Sequence, residues 1–270
     1  MAEKKSDGQR LEEKLLMRSR NLGEADGSLL DETGSFCEEY KKFLRCKTER
    51  EILDYAVPIL KKKGYKEFQI GKKYSARSKF YMNNRDKALI MVTVGRRPIA
   101  DGLRVGVSHT DSPRLDFKPN PLFEDTDMAY FKTHYYGGIK KYQWAAIPLS
   151  LHGVILLTNG KTVKVNIGEE EGDPAFCVTD LLPHLAMNQM KKPAPEIIEG
   201  EQLNILVGCW PFKDEKVSGK VKLNIMNILF EKYGVTEKDF LTAELCAVPA
   251  FSLCSSVCPL SPPYNQPTWL

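Results

Sequence analysis

The chain has 270 residues, 42% hydrophobic and 27% charged. That is enough for one large domain or two modest ones with a buried core, and it excludes a wholly disordered chain. Its net charge of +4 gives no basic footprint for nucleic acid, so no nucleic-acid partner is expected. The most apolar run, Ala145 to Leu157, is too short to span a bilayer and carries Pro148 and His152, so no membrane partner is expected either. The N-terminal MAEKKSDGQR lacks the apolar core of a secretory signal. Seven cysteines, an odd number, read as reduced thiols and a cytoplasmic location.

In chain order, the first ten residues are polar and read as loose. Leu11, Leu15 and Leu16 mark a short helix over 11–22. Ser35 with Glu38 forms a capping box that opens a helix carrying Phe36, Tyr40 and Phe43. Thr48 with Glu51 opens another through Ile52, Tyr55, Ala56 and Leu60, with Pro58 interrupting it and Gly64 as its stop. Ala88 to Val94 is apolar at successive positions, the pattern of a strand buried on both faces. Leu103 to Val107 reads as the next strand. Helices followed by central strands predict an α/β layer architecture.

The texture changes near Pro119. Strands are predicted at 152–158 and 162–167, joined by Asn159-Gly160 as a two-residue hairpin. A helix is predicted from Thr179 to about Met190 with Pro183 in its first turn. Another covers 220–233 on Val221, Ile225, Ile228 and Leu229 and ends at Gly234. Thr242 to Val248 reads as a further strand.

Chemistry concentrates at Val105-Gly-Val-Ser-His109-Thr-Asp111. A strand running into His109 places Asp111, two residues on, on the same face. Imidazole is a good ligand for a divalent metal, and Asp111 can orient its ring or act as a ligand. Taken alone, H-x-D more often marks a hydrogen-bonded structural histidine than a metal site. His134 has two aromatics and two glycines beside it, in a ligand-facing loop or a packed turn. His152 reads as buried mid-strand and His184 as a surface or capping residue. Asp116 and Glu169 to Glu171 read as solvated charge. Phosphate loops, nucleophile elbows and paired Cys-x-x-Cys motifs are absent from the sequence.

Several longer strings resemble the aspartyl aminopeptidase family of zinc metallopeptidases. They are His109-Thr-Asp-Ser-Pro-Arg-Leu-Asp-Phe-Lys-Pro-Asn-Pro121, Lys132-Thr-His-Tyr-Tyr-Gly-Gly-Ile-Lys-Lys-Tyr-Gln-Trp144, Asp180-Leu-Leu-Pro-His-Leu-Ala186 and Ala243-Glu-Leu245 with Val248-Pro-Ala250. The resemblance covers roughly 30–250. It implies an α/β catalytic sandwich interrupted by a β-rich lid or dimerisation domain. The corresponding division is 1–118 catalytic, 119–240 lid, 241–250 a return strand and 251–270 an atypical tail. It further implies two divalent metals, usually zinc, and release of N-terminal, often acidic, residues from peptide substrates. A homo-oligomer built through the lid domain is implied as well. By resemblance His109 is a metal ligand, Asp111 its orienter with a catalytic role, and His184 a substrate-binding residue that reaches a neighbouring subunit.

The family's remaining ligands, a bridging Asp, a Glu-Glu pair, a further acid and a C-terminal His, lie downstream of the match. Here residues 251–270, FSLCSSVCPLSPPYNQPTWL, carry no charge. Family pattern and charge pattern fail at the same place, which favours a frameshifted, spliced or truncated end over the plainer reading of a floppy tail. The expectation is a chain that is inactive or nearly so. The alternative is a non-catalytic partner that dimerises with full-length subunits through the lid.

Overall fold

A computed structural model describes residues 5–17 and 27–250. The described residues divide into two compact units, one up to Arg45 and one from Cys46 onward. The first unit holds α1 (Asp7–Leu15) and α2 (Gly27–Leu44). Helix α1 starts inside the stretch expected to be loose. Ser6 accepts from the Gln9 N–H while the Gln9 side chain accepts from the Ser6 N–H, so a capping box nucleates the helix. Residues 18–22 of the predicted helix lie outside the described residues. Helix α2 runs straight through Ser35, so the Ser35–Glu38 pair is no cap. Phe36, Tyr40 and Phe43 stack along one side of it, and Thr33 satisfies its hydroxyl on the Leu29 carbonyl.

The second unit opens with α3 (Glu49–Lys62), capped by Thr48 and Glu51 as expected. Pro58 sits within it without ending it, and Gly64 follows the C-cap with φ +85°. Three short strands follow: β1 (Lys66–Glu67), β2 (Lys79–Asn84) and β3 (Ala88–Thr93). They form a sheet in the order β1-β2-β3. Strand β3 is an edge whose residues are exposed or half-buried, not buried on both faces. Residues 103–107 form no strand, because no ladder partner reaches them among the described residues.

A seven-stranded antiparallel sheet carries the core. Its strands are β4 (Arg114–Asp125), β5 (Met128–Tyr136), β6 (Leu149–Leu156), β7 (Thr162–Ile167), β8 (Cys177–Val178), β9 (Ile205–Gly208) and β10 (Ala243–Pro249). Their order is β7-β6-β10-β4-β5-β9-β8. Strand β4 runs unbroken across position 118, and β10 lies between β6 and β4. Pro119 and Pro121 cannot donate to a ladder, and the β4–β5 register shifts between Phe117 and Leu122.

The β6–β7 hairpin forms at Asn159-Gly160, with a longer loop than expected. The Gly160 N–H donates to the Leu157 carbonyl, the Leu157 N–H donates to the Lys161 carbonyl, and only Gly160 has positive φ. That is a type I turn closed by a glycine bulge. Helix α4 (Lys220–Tyr233) packs Val221, Ile225 and Leu229 on the core and ends at Gly234 in the left-handed conformation. Ile228 points outward instead. Gly219 offers no side-chain cap, so Glu124 on β4 accepts from the Lys222 N–H at 2.8 Å. Residues 179–190 form separate turns, not a helix. Pro183 lacks a donor there, and Asp180 takes the Leu181 N–H and the Gln189 amide onto its own carboxylate.

Candidate functional site

Residues 109–113 connect the unpaired 103–107 segment to β4. Without a strand here, His109 and Asp111 are joined by a local turn of backbone instead of a shared strand face. The His109 Nδ1–H donates to the Asp111 backbone carbonyl at 2.9 Å, and the Asp111 carboxylate lies 3.5 Å from the same nitrogen. A carbonyl can only accept, so Nδ1 carries a proton, and it is Nε2 that offers a lone pair whenever the ring is neutral. The ring is 86% exposed, so that lone pair faces outward.

Antiparallel pairing of Arg114 with Tyr136 brings the end of β5 beside this turn. The Tyr136 hydroxyl donates to Asp111 Oδ2. That bond above all holds the Asp111 carboxyl below its usual range, while the same contact raises the Tyr136 phenol. The Arg114 guanidinium lies 4.5 Å from the centre of the Tyr136 ring and pairs with Asp116 at 2.7 Å and Glu49 at 3.1 Å. Asp116 is therefore an ion-pair partner, not free solvated charge. Its i, i+2 spacing from Arg114 on one strand was the available signal.

The other histidines join no group of potential metal ligands among the described residues. His184 is exposed within the 179–190 turns. His134 is exposed on β5, beside the Tyr135 ring. His152 is buried, as expected, with Nδ1 2.6 Å from Glu51 and Nε2 3.1 Å from Glu169. Lys47 approaches Glu169 at 3.4 Å and donates to the Pro249 carbonyl. Glu169, read from sequence as solvated, is thus part of a half-buried charge network that ties α3 to β6. Burial pushes the Glu51 carboxyl up, but hydrogen bonding and attraction from His152 outweigh it and leave it lowered.

One cleft of about 240 Å³ lies between α3, β4 and β10, lined by Glu49, Arg50, Lys87, Arg114, Asp116 and Glu244 among others. Its cations are already neutralised. Arg50 reaches Glu244 at 2.6 Å, and Lys87 reaches the same carboxylate at 3.0 Å. Cys246 at its floor is no nucleophile, because burial pushes its thiol up to about 12. Sequence reading missed this cleft, since its residues come from segments almost 200 positions apart.

The metal question follows from the donor set. A catalytic zinc needs three protein ligands, and a two-metal centre needs more. Among the described residues no three His, Cys, Asp or Glu side chains are grouped to hold an ion. His109 and Asp111 supply at most two donors, so the residues present do not fit a complete centre.

Residues 43–252 match the family described as Aminopeptidase I zinc metalloprotease (M18). The chain belongs to the M18 aminopeptidase family. It is 48% identical over 230 residues to a probable M18 family aminopeptidase 1 of Clostridium acetobutylicum, covering 83% of this chain and 50% of that relative. The M18 aminopeptidase structure from Thermotoga maritima superposes with a TM-score of 0.80 at 39% identity, over 88% of this chain and 52% of that one. The mApe1 dodecamer of S. cerevisiae shares the fold, with a TM-score of 0.56 at 17% identity, over 80% of this chain and 48% of that one. The family resemblance carried by the motifs at 109–121, 132–144 and 180–186 is borne out. This M18 chain spans about half the length of the curated relatives it matches.

Proposed function

We propose that this chain contributes one part of a zinc-dependent aminopeptidase that releases N-terminal, often acidic, residues from peptides, and that it does not turn over substrate by itself. The observation that supports this reading is the His109 turn. Its backbone fixes the imidazole with Nε2 presented outward, and Tyr136 holds Asp111 against it, yet the further donors a zinc centre needs are not grouped around it. In this reading His109 is one metal ligand and Asp111, with its own carbonyl, sets the ring's tautomer. The test is hydrolysis of acidic and neutral aminoacyl substrates by the purified chain with Zn²⁺, Mn²⁺ or Co²⁺. No turnover is expected under any metal. Chelator-sensitive turnover by the chain alone would overturn the reading.

A second reading has its own observation. Around His184, the side chains of Leu181, Leu182, Leu185, Met187 and Met190 are all exposed. An apolar stretch of this kind suits a subunit contact, which supports a non-catalytic partner that joins full-length M18 subunits and offers His184 to a neighbour. Co-elution with a full-length M18 aminopeptidase, lost on Leu185→Asp, is the expected result. Separate elution from that subunit would sink it.

A further inference from the structure

The small net charge of the chain averages over a local excess. Residues 61–79 hold eight Lys or Arg and a single acid, Glu67, so this segment alone carries more net positive charge than the whole chain. The end of α3, strand β1 and the start of β2 come together here. Lys79 Nζ donates to the Lys63 carbonyl at 3.3 Å and lies 5.5 Å from the centre of the Tyr65 ring. Lys66 stands opposite Phe80 in the β1–β2 ladder. Lys72 lies over the Tyr74 ring, which packs 4.3 Å from that of Phe80. The cations therefore gather around the β1 edge of the small sheet. Elsewhere in the same unit Arg50, Lys87, Arg114 and Lys164 each have a carboxylate partner. Among the described residues none of the eight has one. A helix C-terminus favours Lys61 and Lys62, but the cations from Lys66 onward serve no helix end.

An apolar side chain stands among them. The Lys72 N–H donates to the Gln69 carbonyl at 3.2 Å, closing a four-residue turn with Gly71 at φ +80°. The Gln69 N–H donates to the Tyr74 hydroxyl at 2.8 Å, which fixes the base of the turn. Ile70 sits at the tip and is 95% exposed, with Lys72 and Lys73 directly after it. We infer that the 61–79 surface docks on an anionic lipid bilayer, with Ile70 entering the headgroup region. Charge complementarity chooses the partner: unpaired ammonium groups meet anionic headgroups while an aliphatic tip reaches the acyl boundary. Such contact needs no spanning segment. Nucleic acid is the poorer match, because Phe68, Tyr74 and Phe80 pack on one another and Lys72 covers Tyr74, so these rings are already engaged and offer bases no platform. The inference stands apart from the metal reading above and holds or fails without it.

The test sediments the full chain with vesicles of phosphatidylcholine containing about one third phosphatidylserine, and with vesicles of phosphatidylcholine alone. The expected result is binding to the anionic vesicles at low salt, about tenfold or more weaker binding to the neutral ones, and release from the anionic ones as added salt shortens the screening length. Replacing both lysines, Lys72→Ala with Lys73→Ala, is expected to weaken binding about thirtyfold, at about fivefold per lysine. Ile70→Ala is expected to weaken it about fivefold by removing apolar surface from the contact. All three side chains are exposed in the free chain, so its Tm stays unchanged. Apolar side chains exposed elsewhere are the same in every variant, so a loss of binding reports this surface. Equal binding to neutral and anionic vesicles overturns the proposal, as does equal binding by the chain and its double-lysine variant. Vesicle binding that is untouched by Ile70→Ala and displaced by a single-stranded oligonucleotide marks a nucleic-acid surface instead and also overturns it.

Discussion

Gly153 lies on β6 opposite Leu245 of β10, with φ +139°. A Cβ built there would stand 1.9 Å from the Glu244 carbonyl oxygen. Backbone cannot yield as a flexible side chain does, so the two central strands depend on a hydrogen at this position. Gly153→Ala is expected to cost about 3 kcal/mol or more in urea unfolding, whereas Gly138→Ala, with open space around it, stays within about 0.5 kcal/mol. Asp239 is the second such residue. It is buried, and it accepts the Thr158 N–H at 2.7 Å and both the N–H and hydroxyl of Thr236. Burial pushes its carboxyl up, but these donors outweigh it and leave it lowered. An unfolded Asp titrates near about 3.9, so this stabilisation is complete above that pH and is lost as pH falls through the lower folded value. Asp239→Asn is expected to remove about 2 kcal/mol at neutral pH and to flatten the acid limb of a stability-versus-pH curve. An unchanged acid limb would show that other carboxylates dominate it.

Among the elements, the two capping-box sequences separate. Thr48–Glu51 caps because Glu51 also takes the Lys47 N–H and pairs with buried His152, so tertiary contacts fix the helix start. Ser35–Glu38 has the same letters but lies inside a longer helix that already runs from Gly27, with its stacked aromatics following Ser35. Thr48→Ala is therefore expected to cost about 1 kcal/mol by thermal unfolding. Ser35→Ala is expected to leave the helical circular-dichroism signal unchanged or slightly higher, because alanine is the better interior residue. A clear fall in that signal would restore Ser35 as a helix start.

Over the whole molecule, a well-filled antiparallel sheet and an exposed apolar edge coexist. The core closes around β4, β5, β6 and β10 with α4 on top. Strand β3 and the 103–107 segment, by contrast, leave their apolar side chains in water. The His109 turn belongs to this exposed part. Stabilisation by a ligand grows with its affinity for the folded state, and a one- or two-donor site binds weakly. Added Zn²⁺ is expected to move the Tm of the chain and of His109→Ala equally, within about 1 °C. A zinc-dependent rise present in the chain and lost in the variant would reveal a metal centre at His109 that the described residues do not display.

What the sequence determined by itself is what closes over short distances. Helices α3 and α4 satisfy their bonds within the segment, so Thr48, Glu51, Gly64 and Gly234 mark their ends legibly, and Asn159-Gly160 marks a hairpin whose strands adjoin in sequence. The motif around His109, with its neighbours in order, was enough to place the chain in its family. Tertiary structure decided the rest. Whether 88–93 and 103–107 are covered depends on which strand lies beside them, and no local pattern encodes that neighbour. The placement of β10 between β6 and β4, and the meeting of Arg114 with Glu49, join residues far apart in the chain. His109 shows the same division within one site. Its tautomer is set two residues away, but a metal centre needs donors brought together by the fold, and these the described residues do not assemble.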